Sequence, residues 1–285
     1  MLNKVKIILD MIKFEHTIFA LPFAFTGALL AARGIPSGET ILWITVAMAG
    51  ARSAAMGFNR WADRKIDARN PRTMTRALPM GLVSPAQVVV FTAVSSLLLV
   101  YAAFRLNPLT FYLSPVALAI VFFYSYTKRF TFLSHVFLGL AISGAPLGAW
   151  IAVTGRFEAP ALVLGLAVLF WLVGFDTLYA LQDMEFDRGA GLHSIPQRFG
   201  VRRSLWIARV SHAVTMAALF WLASLLSLGW YYIAGVVLSL CLIVYEHSLV
   251  REGDLTKLNF AFFNMNGYIS VTIFLSTLLD VVLRR

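Results

Sequence analysis

Pro160-Ala-Leu-Val-Leu-Gly-Leu-Ala-Val-Leu-Phe-Trp-Leu-Val-Gly-Phe-Asp176-Thr-Leu-Tyr179-Ala-Leu-Gln-Asp183-Met-Glu-Phe-Asp187 runs without a charge from Pro160 to Phe175 and then closes on a cluster of acids. About 20 apolar residues are needed to cross a hydrocarbon core, so the first part predicts a membrane span. Tyr179, Asp183 and Asp187 are each four residues apart, which puts them on one side of a helix, one turn lower each time. A second run, Asn59-Arg-Trp-Ala-Asp63-Arg-Lys-Ile-Asp67, ends another apolar stretch with the same offsets. Carboxylates at the ends of hydrophobic spans are expensive and point to a function.

The rest of the chain belongs to the same class. Of its 285 residues 59% are hydrophobic and 13% charged, with 23 Phe and 7 Trp. Apolar spans recur roughly at 14–33, 40–58, 86–104, 109–127, 133–154, 160–183, 204–228, 230–250 and 258–282. The expected fold is all-α, a single polytopic membrane domain over residues 1–285 with about nine transmembrane helices. The division at Ser227-Leu228-Gly229 is the least clearly marked. No cleavable signal pattern opens the chain, so the first span is expected to remain. Cys241, the one cysteine, lies in an apolar span and has no internal disulfide partner.

A net charge of +10 would suggest nucleic acid for a soluble protein; here its distribution decides otherwise. With the N-terminus inside, 17 of the 24 Lys and Arg fall in inner segments and five in outer ones, with Arg52 and Arg209 inside spans. That asymmetry is the positive-inside rule. It predicts a bacterial inner-membrane protein with N-terminus and both acidic clusters facing the cytoplasm, and a lipid bilayer rather than nucleic acid as partner. Two polar stretches, Arg60 to Pro85 and Met184 to Arg203, each follow an acidic cluster and read as cytoplasmic cap loops. The matched clusters hint at a pseudo-repeat too diverged to establish duplication.

Two acidic clusters facing one cavity are what a binuclear Mg²⁺ site for a diphosphate needs, because hard cations take oxygen ligands and bridge phosphate oxygens. Four motifs extend that reading: Arg52-x6-Asn59-x3-Asp63-Arg-Lys-x-Asp67, Arg72-Thr-x-x-Arg76-x-Leu-Pro79, Tyr124-x3-Lys128-Arg129-x-Thr131 and Asp176-Thr-x-Tyr179-Ala-x-x-Asp183-x3-Asp187. One Asp-x3-Asp is weak, since any amphipathic helix end can show it. The four in order, over nearly the whole chain, resemble the intramembrane aromatic prenyltransferases of the UbiA type.

That resemblance implies helices around a central cavity, the two acidic motifs facing each other across its cytoplasmic mouth, and a lateral opening for a lipid substrate. It implies transfer of a polyprenyl group from polyprenyl diphosphate to a ring carbon of a hydroxylated aromatic carboxylate acceptor, 4-hydroxybenzoate in quinone biosynthesis. Asp63, Asp67, Asp183 and Asp187 would hold Mg²⁺, which neutralises the departing diphosphate as a Lewis acid. Arg64, Arg72, Lys128 and Arg129 would add charge-assisted hydrogen bonds to its oxygens. Tyr124 and Tyr179 would face the allylic cation, and Asn59 would orient the diphosphate or the cation. Arg52, two turns deeper than Asn59, would bind the acceptor or position the diphosphate. Asp176 would hold Tyr179 or Arg52.

Blander readings stand beside these. Arg52 could form a structural pair with an interior acid or carbonyl, Lys128 and Arg129 could be there for topology alone, and Glu185 falls off the acidic face and reads as solvated. His16, His135, His212 and His247 read as packed, hydrogen-bonded histidines. The opening Lys13-Phe-Glu-His16-Thr-Ile-Phe-Ala-Leu-Pro22 and His193-Ser194 depart from the commonest family pattern and look like a subgroup that includes enzymes acting on 1,4-dihydroxy-6-naphthoate in menaquinone synthesis. A CDP-alcohol phosphotransferase would need one extended motif on two adjacent helices and fewer spans. An ion-coupled transporter would favour acids near the midplane and broken helices, whereas these acids cluster at one surface among basic residues.

Overall fold

A computed structural model describes residues 7–8, 10–12, 17–252, 254–255, 258 and 264–283. Ten helices follow in order: α1 (Thr17–Ala32), α2 (Gly38–Asp67), α3 (Pro85–Leu106), α4 (Pro108–Thr127), α5 (Ser134–Thr154), α6 (Ala159–Tyr179), the short α7 (Met184–Gly189), α8 (Ile195–Leu226), α9 (Trp230–Leu249) and α10 (Asn266–Leu283). A 3₁₀ turn, Ala180–Asp183, joins α6 to α7. Among the described residues eight helical stretches are long and apolar enough to cross a membrane, and α1, at 16 residues, is a shorter apolar helix. Together they answer the expected spans one for one. Lys13–His16, Lys257, and the opening part of the last span over 259–263 lie outside the described residues.

Apolar stripes facing outward show what solvent the fold is built for. On α3, Val90, Val94, Leu97, Tyr101 and Phe104 recur at helical spacing and are 51–69% exposed. A stripe of that size facing water would be an aggregation surface; facing lipid it costs nothing.

Small residues set the inner contacts. Gly50, Ala54 and Gly57 place a smooth face of α2 against α3, and a Cβ on Gly50 would sit 2.9 Å from the Ser95 carbonyl oxygen and 2.8 Å from the Leu99 nitrogen. Close approach through small residues is the usual way helices associate in lipid, where burial supplies little drive. Successive helices α2 to α6 pack side by side, α8 backs α6, and α10 packs on α9 and α1, which in turn lies on α5. Phe23, Trp171 and Phe175 fill the α1–α6 junction, with ring centroids 4.9 and 4.8 Å apart.

Helix ends differ from the expected boundaries in ways that bear on the site. The α2 helix continues through Asp67, so Arg60–Asp67 is a rigid helical extension rather than the start of a loop. The second polar stretch is also largely helical: it holds α7 and the opening of α8, which kinks at Gly200, where φ is 75°. At the short α8–α9 connection Ser227 adopts φ 52°, and the Asp280 carboxylate on α10 accepts from the Gly229 N–H at 2.8 Å. That buried acid, in the last turn of α10, caps the start of α9.

Candidate active site

An elongated cavity of about 500 Å³ runs through the molecule, lined by residues of α1 to α6, of the α2–α3 and α6–α8 connections and of the α4 end. Along α2 its wall extends from Ile44 to Asp67, roughly 35 Å of helix. Small apolar residues line its length: Ala47, Ala51 and Ala55 of α2, Ala117 of α4, and Ala141, Gly144, Ala145 and Gly148 of α5. Helices α8 to α10 stand behind this wall and, among the described residues, contribute nothing to the lining. One end of the cavity is polar. Asp63 and Asp67 reach it from α2, Asp183 from the 3₁₀ turn and Asp187 from α7.

Each of the four aspartates is held by a basic side chain. Arg129 Nη2 donates to Asp63 Oδ1 at 3.1 Å, and Arg76 Nη1 to both Asp67 oxygens at 2.8 and 2.9 Å. Arg72 Nε and Nη2 form a fork onto Asp183 at 2.9 and 2.5 Å, and Lys128 Nζ lies 3.3 Å from Asp187 Oδ2. Asn59 donates to Asp63 Oδ2 at 3.0 Å, and Asn70 to Asp183 Oδ1 at 3.3 Å. Burial alone would lower the pKa of Arg72; the hydrogen-bonded, charged Asp183 outweighs it and holds that pKa above the ordinary value. The guanidinium therefore stays cationic. Arg72 also stands 5.5 Å over the Tyr179 ring.

Among the described residues no three acid, histidine or cysteine side chains converge into a ready-made metal cluster; the carboxylates face cations instead. The donor set nevertheless fits Mg²⁺ with a diphosphate: hard oxygen donors from two helix ends, interleaved with guanidinium and ammonium groups of matching number. With both bound, the cations would donate to phosphate oxygens and the carboxylates would hold the metal.

Most residues singled out from sequence meet in this cavity: Arg52, Asn59, Asp63, Asp67, Arg72, Tyr124, Lys128, Arg129, Asp176, Tyr179, Asp183 and Asp187 all line it. Arg64 does not. Its Nη1 donates to the Trp61 carbonyl at 2.7 Å and its guanidinium lies 5.0 Å over the Trp61 ring, because residue 64 is one step round the helix from the Asp63 face. Asp176 is held by His135, with Nδ1 2.6 Å from Oδ2, a partner the sequence did not point to. His135 is packed and hydrogen-bonded, as expected, and is also part of the cavity wall, while His212 and His247 bond to each other at 2.9 Å away from it.

Three further cavity residues escaped the sequence reading as site members. Arg76 was visible four residues after Arg72. Buried Arg60 donates to Asn59 Oδ1 at 3.1 Å and to the Met11 carbonyl at 3.2 Å, and Asn70 sits in the turn after α2. Nothing in the local pattern separates these two from surface polar residues. The two cap segments are fastened to the helices: Thr73 Oγ1 donates to the Asp67 carbonyl at 3.0 Å, and the His193 N–H to the Lys128 carbonyl at 2.7 Å.

Residues 20–268 match the UbiA prenyltransferase family. The chain belongs to that family. The prenyltransferase is 36% identical to the 4-hydroxybenzoate octaprenyltransferase of Vibrio parahaemolyticus over 250 residues, 86% of each chain. The structure of a UbiA homolog from Aeropyrum pernix K1, 32% identical, superposes with a TM-score of 0.86 over 94% of this chain and 98% of that one. A UbiA homolog from Archaeoglobus fulgidus, solved with DMAPP and Mg²⁺, shares the fold at 19% identity and a TM-score of 0.69, covering 93% and 98%. Family and relatives together make this chain an integral membrane enzyme, an aromatic polyprenyltransferase.

Proposed function

We propose that this enzyme transfers the polyprenyl group of a polyprenyl diphosphate to a ring carbon of 4-hydroxybenzoate, in a Mg²⁺-dependent step of ubiquinone synthesis. We further place the polar end of the cavity at the cytoplasmic face of a bacterial inner membrane and the whole chain in one catalytic unit. The observation that carries the proposal is the set of four Asp–cation pairs at one end of a long apolar cavity. Its polar end suits a diphosphate and its small-residue walls suit an extended isoprenoid. The name of the Vibrio relative supports the acceptor, and the Archaeoglobus structure of the same fold supports metal and diphosphate.

Asp63, Asp67, Asp183 and Asp187 would hold Mg²⁺, which when bound supplies Lewis-acid neutralisation of the leaving diphosphate. Arg72, Arg76, Lys128 and Arg129 then donate charge-assisted hydrogen bonds to its oxygens as the allylic C–O bond breaks. Tyr124, Phe175 and Tyr179 turn aromatic surface toward the resulting cation, which ring faces attract. The apolar wall excludes water that would otherwise capture the cation. Arg52, two turns deeper than Asn59, binds the acceptor carboxylate and presents the ring carbon to the cation.

The test is purified protein with polyprenyl diphosphate, Mg²⁺ and either 4-hydroxybenzoate or 1,4-dihydroxy-6-naphthoate. Prenylated 4-hydroxybenzoate, abolished by EDTA and restored by Mg²⁺, is the expected result. Product from the naphthoate alone would move the enzyme to menaquinone synthesis.

A further inference from the structure

Ring substitution releases a proton, and the four aspartates bonded to cations are committed to the diphosphate end. One acid of the cavity has a different setting. Asp176 lies on α6, seven residues before Asp183 of the 3₁₀ turn that follows, roughly 10 Å deeper, and lines the cavity. Its Oδ2 is 2.6 Å from Nδ1 of His135, which is 1% exposed. The other ring nitrogen of His135, Nε2, accepts from the Ile195 backbone N–H at 3.4 Å. A nitrogen that accepts carries no hydrogen, so the proton of the neutral imidazole sits on Nδ1 and is donated to the carboxylate. The start of α8 thereby fixes the tautomer, and one oxygen of Asp176 is occupied by His135. This depth lies between Arg52 and the acidic clusters, where a ring anchored through its carboxylate to Arg52 would present its reacting carbon.

We infer that Asp176 is the proton acceptor of the prenyl transfer and that His135 is its positioning residue. The inference rests on the prenyl-transfer reading. As the ring carbon bonds to the allylic carbon, the diphosphate has already left with the C–O electron pair. The ring C–H bond then breaks, its electrons restore aromaticity, and the proton passes to the second oxygen of Asp176, to be lost to water when product leaves. His135 keeps its own proton throughout and acts only by orienting the carboxylate.

Kinetics of the full-length enzyme with acceptor protonated or deuterated at the ring carbons beside the hydroxyl test this. The wild-type enzyme is expected to show little isotope effect on kcat, because allylic ionisation is slower than proton loss. Asp176→Asn keeps the shape and the melting temperature but should lower kcat at least about 100-fold, the range for loss of a positioned acid or base. Its KM for both substrates should stay within about threefold, and a primary isotope effect should appear as proton loss becomes rate-limiting. His135→Gln should lower kcat less and unmask a smaller isotope effect. A raised acceptor KM at unchanged kcat would make Asp176 a binding residue only, and a lowered kcat with no isotope effect would return proton removal to another group; either overturns the inference. If the wild-type chain prenylates no hydroxylated aromatic, the functional reading fails and this inference with it, whereas an active wild type with an indifferent Asp176→Asn variant sinks the inference alone.

Discussion

The pairing of each cavity aspartate with its own cation makes the residues individually testable. Arg72→Ala removes a forked partner from Asp183, and an anion stripped of its bonded cation in a partly buried place is costly. The variant is expected to lose 10- to 100-fold in kcat/KM for the diphosphate, about 1.4 to 2.7 kcal/mol of transition-state stabilisation. Arg72→Lys should recover only part of it, since an ammonium cannot reproduce the fork. Steady-state kinetics with the acceptor saturating would show this; equal values for Lys and Arg would remove the fork from the argument. Arg52→Ala should instead raise the acceptor KM about tenfold or more and leave the diphosphate KM unchanged, a separation that titrating each substrate in turn reads directly. Asp63→Ala or Asp183→Ala should lower Mg²⁺-dependent turnover by at least about 100-fold in protein that still melts cooperatively, and full activity in either would sink the metal assignment.

At the scale of the element, the acidic clusters work because helices deliver them. The α2 helix carries Arg52, Asn59, Asp63 and Asp67 on one continuous scaffold to Asp67, and its alignment depends on how closely α3 approaches. Gly50→Leu would place side-chain atoms where Ser95 and Leu99 backbone now lies. The expected cost is about 1–3 kcal/mol of overpacking, seen as a lower melting temperature in detergent with activity falling alongside. Gly144→Ala provides the contrast: a Cβ there meets nothing within 4 Å, and its melting temperature should not move. Asp280 is another element-scale device, since this buried acid in the last turn of α10 serves the α9 N-terminus rather than chemistry.

For the whole molecule, the basic residues around the polar end of the cavity predict which side of the membrane it faces. Met74, in the segment after α2, and Phe157, between α5 and α6, are exposed at opposite ends of the helices. In a Cys241→Ala background, Met74→Cys should react with a membrane-impermeant thiol reagent only in inverted vesicles, and Phe157→Cys only in right-side-out ones. Labelling in the reverse sense would turn the molecule over and put the diphosphate site outside.

Much of this organisation is local and was readable in the chain. Apolar span length sets the membrane class, and a four-residue spacing puts Asn59, Asp63 and Asp67 on one helix face whatever they pack against. The same local logic sees Tyr179, Asp183 and Asp187, and the order of the motifs carries the family resemblance. Partner choice was not local. That Arg129 reaches Asp63, that Arg72 crosses 111 positions to Asp183, that Arg64 turns to Trp61, and that His135 belongs to Asp176 all depend on where helices α2, α4, α5 and α6 meet. Helical periodicity fixes the face of a residue to within a turn; which side chain waits opposite is decided by helix packing, and the close approaches that set it involve residues far apart in the chain.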